Sequence, residues 1–151
     1  MAKDLTARAV LETGLSFDVE TGSGHHIILD TTEPGVSKNA GPSPMEMLLV
    51  GLAGCSAMDI LALLRKKRQE VTAYEVHVHC KRAQEHPRVF VEIALEHILT
   101  GHNIQPEAVQ RSIQLSEERY CGASAMLGKT ATITHTFRIL EGEGAKKEGR
   151  F

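Results

Sequence analysis

Residues 48–68 read LLVGLAGCSAMDILALLRKKR, and the order of the whole chain can be worked outward from what this stretch has to be. Apolar residues fall on nearly every face of a helix drawn through it. Met47–Met58 runs 12 residues between Glu46 and Asp59 without a charge, whereas a membrane span needs about 20 apolar residues. The stretch therefore reads as the core helix of a globular domain. Upstream, Ser43-Pro44-Met45-Glu46 sets a capping hydroxyl, a proline at the first helical position and a glutamate three residues after the cap. Downstream, Arg65-Lys66-Lys67-Arg68 places cations where the helix dipole is negative, which accounts for the charge run without a nucleic-acid patch.

On the N-terminal side, LTARAVLE (5–12), LSFDVET (15–21) and HHIILD (25–30) read as three short strands of a meander, punctuated by Gly14 and by Gly22-Ser23-Gly24. Residues 31–42 have turn chemistry and no apolar period. Beyond the helix, residues 71–83 and 89–99 alternate apolar and polar residues as an antiparallel pair does, with His86-Pro87 in their turn. QPEAVQRSIQLSEERY (105–120) predicts a second helix with Val109, Ile113 and Tyr120 on one stripe, and residues 130–140 predict a closing strand. Residues 142–151 read as a mobile polar tail. This order predicts one α+β domain over residues 1–151, with helices packed on antiparallel sheets. A helix apolar on nearly every face exceeds what one two-layer chain can cover. A second copy is the simplest cover, so an intertwined homodimer is expected.

The chain has 151 residues, 24% of them charged and 42% hydrophobic, with a formal net charge of -2. That balance offers no electrostatic footprint for a polyanion, and with no Trp, two Tyr and four Phe there is no stacking platform for bases. Neither nucleic acid nor a membrane is expected as a partner. MAKDLTARAVLETG lacks a secretory apolar core, so a cytoplasmic location is expected. Three cysteines, Cys55, Cys80 and Cys121, without short-range pairing argue against a structural disulfide framework.

Cys55 stands among Ala53, Gly54, Ser56 and Ala57, side chains too small to wall off its sulfur. It can be a small core residue or a nucleophile in a dry pocket. Cys121 lies in a similar small-residue setting, Tyr120-Cys121-Gly122-Ala123-Ser124-Ala125, where the second helix is expected to stop. Cys80 is within a strand and reads as inert. His77-x-His79 puts two imidazoles on one strand face, but no four-ligand spacing of the structural zinc kind is present. Neither a metal nor a cofactor is expected.

GPSPMEMLLVGLAGCSAMDIL (41–61) and LSEERYCGASAML (115–127), with the strand and helix order around them, resemble the OsmC/Ohr superfamily, specifically its OsmC-like branch with GPSPxE and YC-x-x-S-A motifs. The resemblance covers almost the whole chain. It implies a thiol peroxidase acting on organic hydroperoxides, an intertwined homodimer with sites at the subunit interface, and an external dithiol reductant, in that family often a lipoylated protein. Cys55 matches the peroxidatic cysteine and Cys121 the resolving one. The implied cycle passes through a Cys55 sulfenic acid and a Cys55–Cys121 disulfide.

Peroxidases of the family hold a thiolate-stabilising arginine from the N-terminal strands with a glutamate near the start of the central helix. Here residues 9–37 contain no arginine, leaving Arg8, His25 or His26 as substitutes, and Glu46 as the nearest glutamate, offset by one position. At 100° per residue Glu46 faces away from Cys55, and its capping-box role explains it without catalysis. Asp59, one turn after Cys55, would oppose ionisation of the thiol. The alternative function is therefore a member of the family that senses redox state or binds a small hydrophobic ligand without efficient turnover.

Overall fold

The computed structural model describes residues 3–144, which fall into two compact units divided between Leu48 and Leu49. In the first unit, β1 (Ala7–Thr13), β2 (Ser16–Thr21) and β3 (His26–Leu29) form an antiparallel meander in the order β1-β2-β3. Gly14 makes the first turn with φ +57°, a conformation that side chains resist. Every residue of β1 is exposed. After β3, the buried Asp30 carboxylate organises the loop by accepting the backbone amides of Thr31 at 2.7 Å, Lys38 at 3.2 Å and Ala40 at 3.1 Å. These amides hold its pKa below the usual carboxylate value. Gly41 follows because a Cβ there would run into the Ile28 carbonyl.

The expected capping box is present. Glu46 Oε2 accepts the Ser43 amide at 2.7 Å and Ser43 Oγ accepts the Glu46 amide at 3.3 Å. These contacts open α1 (Pro44–Lys66), a 23-residue helix whose last turn carries Arg65 and Lys66. By length and composition α1 is the one helix among the described residues that could cross a membrane, with a mean hydropathy of 2.1 over its most apolar window. Only 22% of that window is buried within the chain. Leu52, Ser56, Ile60 and Leu64, spaced four apart, make its single buried stripe. Leu48, Val50 and Met58 remain exposed.

In the second unit, β4 (Glu70–Arg82), β5 (Phe90–His102) and β6 (Thr132–Glu141) form a sheet in the order β4-β5-β6. Of the four strand pairings in the two sheets, three are antiparallel as expected, but β6 runs parallel to β5, with His97 opposite Phe137. Alternation records which face a residue occupies and not which way the strand runs. The core gathers Ile60 and Leu64 of α1 with Leu99, Ile104, Val109 and Ile113, and Val71, Tyr74, Phe137 and Ile139 pack around it. Burial of these aliphatic side chains, each about 1.5–3 kcal/mol, is what fixes the C-terminal half of α1 on the unit.

The predicted helix over 105–120 is divided. The α2 helix covers Pro106–Leu115, Ser116–Tyr120 is a π-helical turn, and α3 (Gly122–Leu127) begins at once. The wider turn takes Tyr120 off the Val109–Ile113 stripe, and Tyr120 is 52% exposed. Gly122 thus opens a helix where a stop was expected. Of the tail expected to be mobile, residues 145–151 lie outside the described residues. Gly142 and Glu143 are tied down, the first by Thr72 Oγ1 donating to its carbonyl at 2.8 Å, the second by a 2.7 Å contact with His102.

Across β4–β6 runs a chain of polar groups, fully buried at its centre and half-buried at its ends. Tyr74 Oη meets His97 Nδ1 at 2.7 Å, and His97 Nε2 meets His135 Nδ1 at 2.9 Å. His97 is fully buried. His135 Nε2 is buried without a hydrogen-bond partner, 4.0 Å from Glu117 Oε2 on the π-helical turn. Burial pushes the pKa of both imidazoles down, that of His97 to about 4, so both are neutral at pH 7.

Candidate active site

The π-helical turn delivers Cys121 to α1. Cys55 Sγ, Cys121 Sγ and a carboxylate oxygen of Asp59 all lie within 4.8 Å of one another. Cys55 and Asp59 share a face of α1 because four residues at 100° nearly complete a turn. Cys121 comes from the junction between the π-helical turn and α3, 66 positions away in sequence. Cys121 is 2% exposed, Cys55 and Asp59 half-buried. All three cysteines are free thiols.

The small residues around Cys121 act through their backbone. Cys121 caps α3, its Sγ accepting the Ser124 amide at 3.4 Å, while the Ala123 amide donates to Cys55. Ser116 Oγ, at the start of the π-helical turn, donates a long 3.5 Å hydrogen bond to Asp59. Sequence reasoning missed these three contacts. A cysteine before Gly-Ala-Ser looks like a helix end, and only a sulfur acting as cap acceptor turns the same residues into a helix start.

Burial pushes the Cys55 thiol pKa up, the Ala123 amide pulls it down, and Cys121 and Asp59 add to the rise. The effect of Asp59 has the expected sign. Glu46 lies about 13 Å before Cys55 along the helix axis and half a turn round, with its carboxylate held by Ser43, whose hydrogen bonds lower its pKa. Arg8, His25 and His26 belong to the N-terminal unit. There Arg8 stands opposite Glu20 in the β1–β2 ladder, His25 Nδ1 meets Ser23 Oγ at 2.9 Å, and His26 pairs with Asp18 at 3.0 Å. His77 lies 3.9 Å from Glu75, and His79 is exposed. Cys80 offers its thiol to the Lys81 carbonyl at 3.6 Å.

A dithiol assembled from a central helix and a helix junction, on a small mixed α+β framework, places the protein among the cysteine-bearing α+β folds. The sequence profile of the OsmC-like protein family matches residues 37–136, and the chain belongs to that family. It is 41% identical over 136 residues to Protein YhfA of Escherichia coli K12, an alignment covering 90% of this chain and 98% of that one. It is also similar to the solved structure of a hypothetical protein from Aquifex aeolicus VF5, with a TM-score of 0.83 and 26% identity over 94% of this chain and 100% of that one. In fold it resembles an organic hydroperoxide resistance protein, OsmC, from Legionella pneumophila, with a TM-score of 0.69 and 15% identity over 91% of this chain and 98% of that one.

Proposed function

We propose that this protein is a cysteine-based thiol peroxidase that reduces organic hydroperoxides. The observation that carries the reading is the approach of the two sulfurs to within 4.8 Å. With an S–S bond of about 2.05 Å, disulfide formation needs a closure of less than about 3 Å. The Cys55 thiolate attacks the O–O bond and keeps one oxygen as a sulfenic acid, while the alkoxide leaves and takes a proton to become the alcohol. The Cys121 thiol then attacks that sulfur, forming the disulfide and releasing water. An external dithiol reduces the disulfide by exchange and leaves as its own disulfide. Cys55 fits the first role because it is the less buried sulfur and stands among small residues that leave room for a substrate.

The protein works as a homodimer in the cytoplasm. Exposed Leu48, Val50 and Met58 on α1, together with the fully exposed β1, support the dimer by giving it apolar surface to cover. Free thiols suit a reducing compartment. Sedimentation of a monomer at micromolar concentration would remove this part of the proposal.

A second reading is favoured by the electrostatics of Cys55. A thiol whose pKa is raised holds little thiolate at pH 7. Such a pair suits a redox sensor that is oxidised once, or a ligand-binding member of the family, better than a fast enzyme. Reduced protein mixed with cumene hydroperoxide and excess dithiol separates the two. Continuous peroxide loss that disappears in Cys55→Ser supports the enzyme, and a single stoichiometric oxidation supports the sensor.

A further inference from the structure

The peroxide cycle leaves Asp59 without a task, since a carboxylate beside the attacking sulfur opposes the charge the attack requires. Three groups that are negative when deprotonated converge within 4.8 Å, and they are the one such convergence of three His, Cys, Asp or Glu ligand atoms among the described residues. We infer that Cys55, Asp59 and Cys121 form a three-ligand site for a thiophilic divalent cation, zinc by the chemistry of its donors, and that the cation competes with peroxide for the reduced dithiol.

The donor set is selective. Calcium and magnesium require shells of oxygen ligands, whereas zinc accepts two cysteine sulfurs and a carboxylate together. Tetrahedral zinc, with bonds of about 2.0–2.3 Å, separates its ligand atoms by roughly 3.6–3.8 Å. The cluster is therefore within reach of that geometry by small side-chain rotations. Cys55 and Asp59 stand one turn apart on a rigid helix, and Cys121 is fixed by its capping role. Each ligand also has an outer partner of the kind that orients metal ligands: Ser116 Oγ at Asp59, the Ala123 amide at Cys55 and the Ser124 amide at Cys121. The fourth position is left to water or an incoming ligand, as in zinc sites that exchange.

Binding replaces the two thiol protons, which are released, and ties both sulfurs to the cation. An organic hydroperoxide that oxidises the bound pair takes two electrons from the sulfurs and two protons from solvent. The products are one S–S bond, the alcohol, water and free zinc. The binding stands apart from the peroxidase reading, and only the competition rests on it.

The test uses full-length protein, reduced and freed of reductant, titrated with zinc chloride against a chromophoric chelator. One zinc per chain is expected. Asp59→Asn and Cys121→Ser should each weaken binding at least tenfold, about the loss that disturbing a metal's supporting residues produces. Prior oxidation with one equivalent of diamide should abolish binding, and Cys80→Ser should leave it unchanged. Cobalt(II) added to the unmutated protein should give the intense near-ultraviolet charge-transfer band of thiolate ligation, which reads the ligands without a variant that could misfold. The inference is overturned if reduced protein binds no zinc, if Asp59→Asn or the oxidised protein binds as tightly as the parent, or if binding is lost in His77→Gln/His79→Gln instead. Peroxide consumption measured in chelator keeps the two readings apart. Turnover without zinc binding overturns this site alone, and zinc binding without turnover supports the site while overturning the catalytic reading.

Discussion

The Cys55–Asp59–Cys121 cluster and the Tyr74–His97–His135 chain both place polar groups within the unit that follows Leu48, and they treat charge in opposite ways. The imidazole chain is closed around the fully buried His97, and its rings are neutral. One arrangement of protons runs through it in series, Tyr74 donating to His97 Nδ1 and His97 Nε2 donating to His135 Nδ1, so each acceptor is met by a donor and no group need ionise. The dithiol cluster is partly open, and its members are acids that repel one another once ionised. A neutral chain whose internal hydrogen bonds are all met, leaving only the terminal His135 Nε2 without a partner, adds rigidity to the sheet. The mutual repulsion of an acidic cluster can be relieved only by oxidising two of its members, by a cation, or by leaving the thiols protonated. The first arrangement needs no ionised group, whereas the second holds groups that oxidation or a cation would relieve.

The largest expected effect would break the comparison at the cluster. Cys55→Ser should reduce dithiol-dependent loss of cumene hydroperoxide to the uncatalysed background, while Cys80→Ser stays within about twofold of the parent, because Cys80 lies outside the cluster that brings the other two sulfurs together. In Cys121→Ser a sulfenic or overoxidised Cys55 should accumulate, seen as added oxygen in the intact mass. Equal losses in Cys55→Ser and Cys80→Ser would mean that neighbourhood does not distinguish the thiols.

At the imidazole chain the expected effect is on folding. His97→Phe fills the space but leaves the Tyr74 hydroxyl and His135 Nδ1 without partners, and should cost about 2–4 kcal/mol in urea denaturation. The pH dependence follows from the lowered imidazole pKa values. In the unfolded chain both histidines take up protons near pH 6.5, while folded His97 resists until about pH 4. The stability they contribute is present above about pH 6.5 and is lost as pH falls, for His97 down to about pH 4. The slope is up to about 1.4 kcal/mol per pH unit for each histidine. A denaturation midpoint flat from pH 7 to pH 5 would show that the rings are not buried in neutral form.

How much of this could be read from residues alone differs between the two clusters. The capping box at Ser43–Glu46 was legible because a local pattern has a local cause, and Cys55 with Asp59 was legible because helix periodicity fixes their shared face. The position of Cys121 over them was not derivable. It depends on one π-helical turn, and the helix pattern of residues 105–120 carries no mark of that widening. The shared small-residue settings of Cys55 and Cys121 hinted at a pair where periodicity could not, and the resemblance to a known family gave each sulfur its role. The imidazole chain left a signal that went unread. His97 alternates in phase with Leu95 and Leu99, and His135 with Ile133 and Phe137, so two-residue periodicity places both rings on the apolar face. Their contact also required β6 to lie parallel beside β5, and strand direction has no signature in alternation.

The smallest expected effect sharpens the comparison most, because it isolates one charge. In chelator, so that no metal intervenes, Asp59→Asn should speed alkylation of Cys55 by iodoacetamide about two- to fivefold at pH 7. The carboxylate is one of several groups raising that thiol's pKa, and burial is the largest. Removing it leaves more thiolate at a given pH, so the profile of rate against pH should shift toward lower pH without changing its plateau. Cys80, whose thiol burial also pushes up while Arg82 pulls it down, has no part in the cluster and should keep its rate in the same sample, serving as an internal reference. If Cys55 slows instead, the like-charge account fails, and the carboxylate must be acting as a base toward the thiol. If both cysteines speed up together, the substitution has loosened the unit rather than removed a charge.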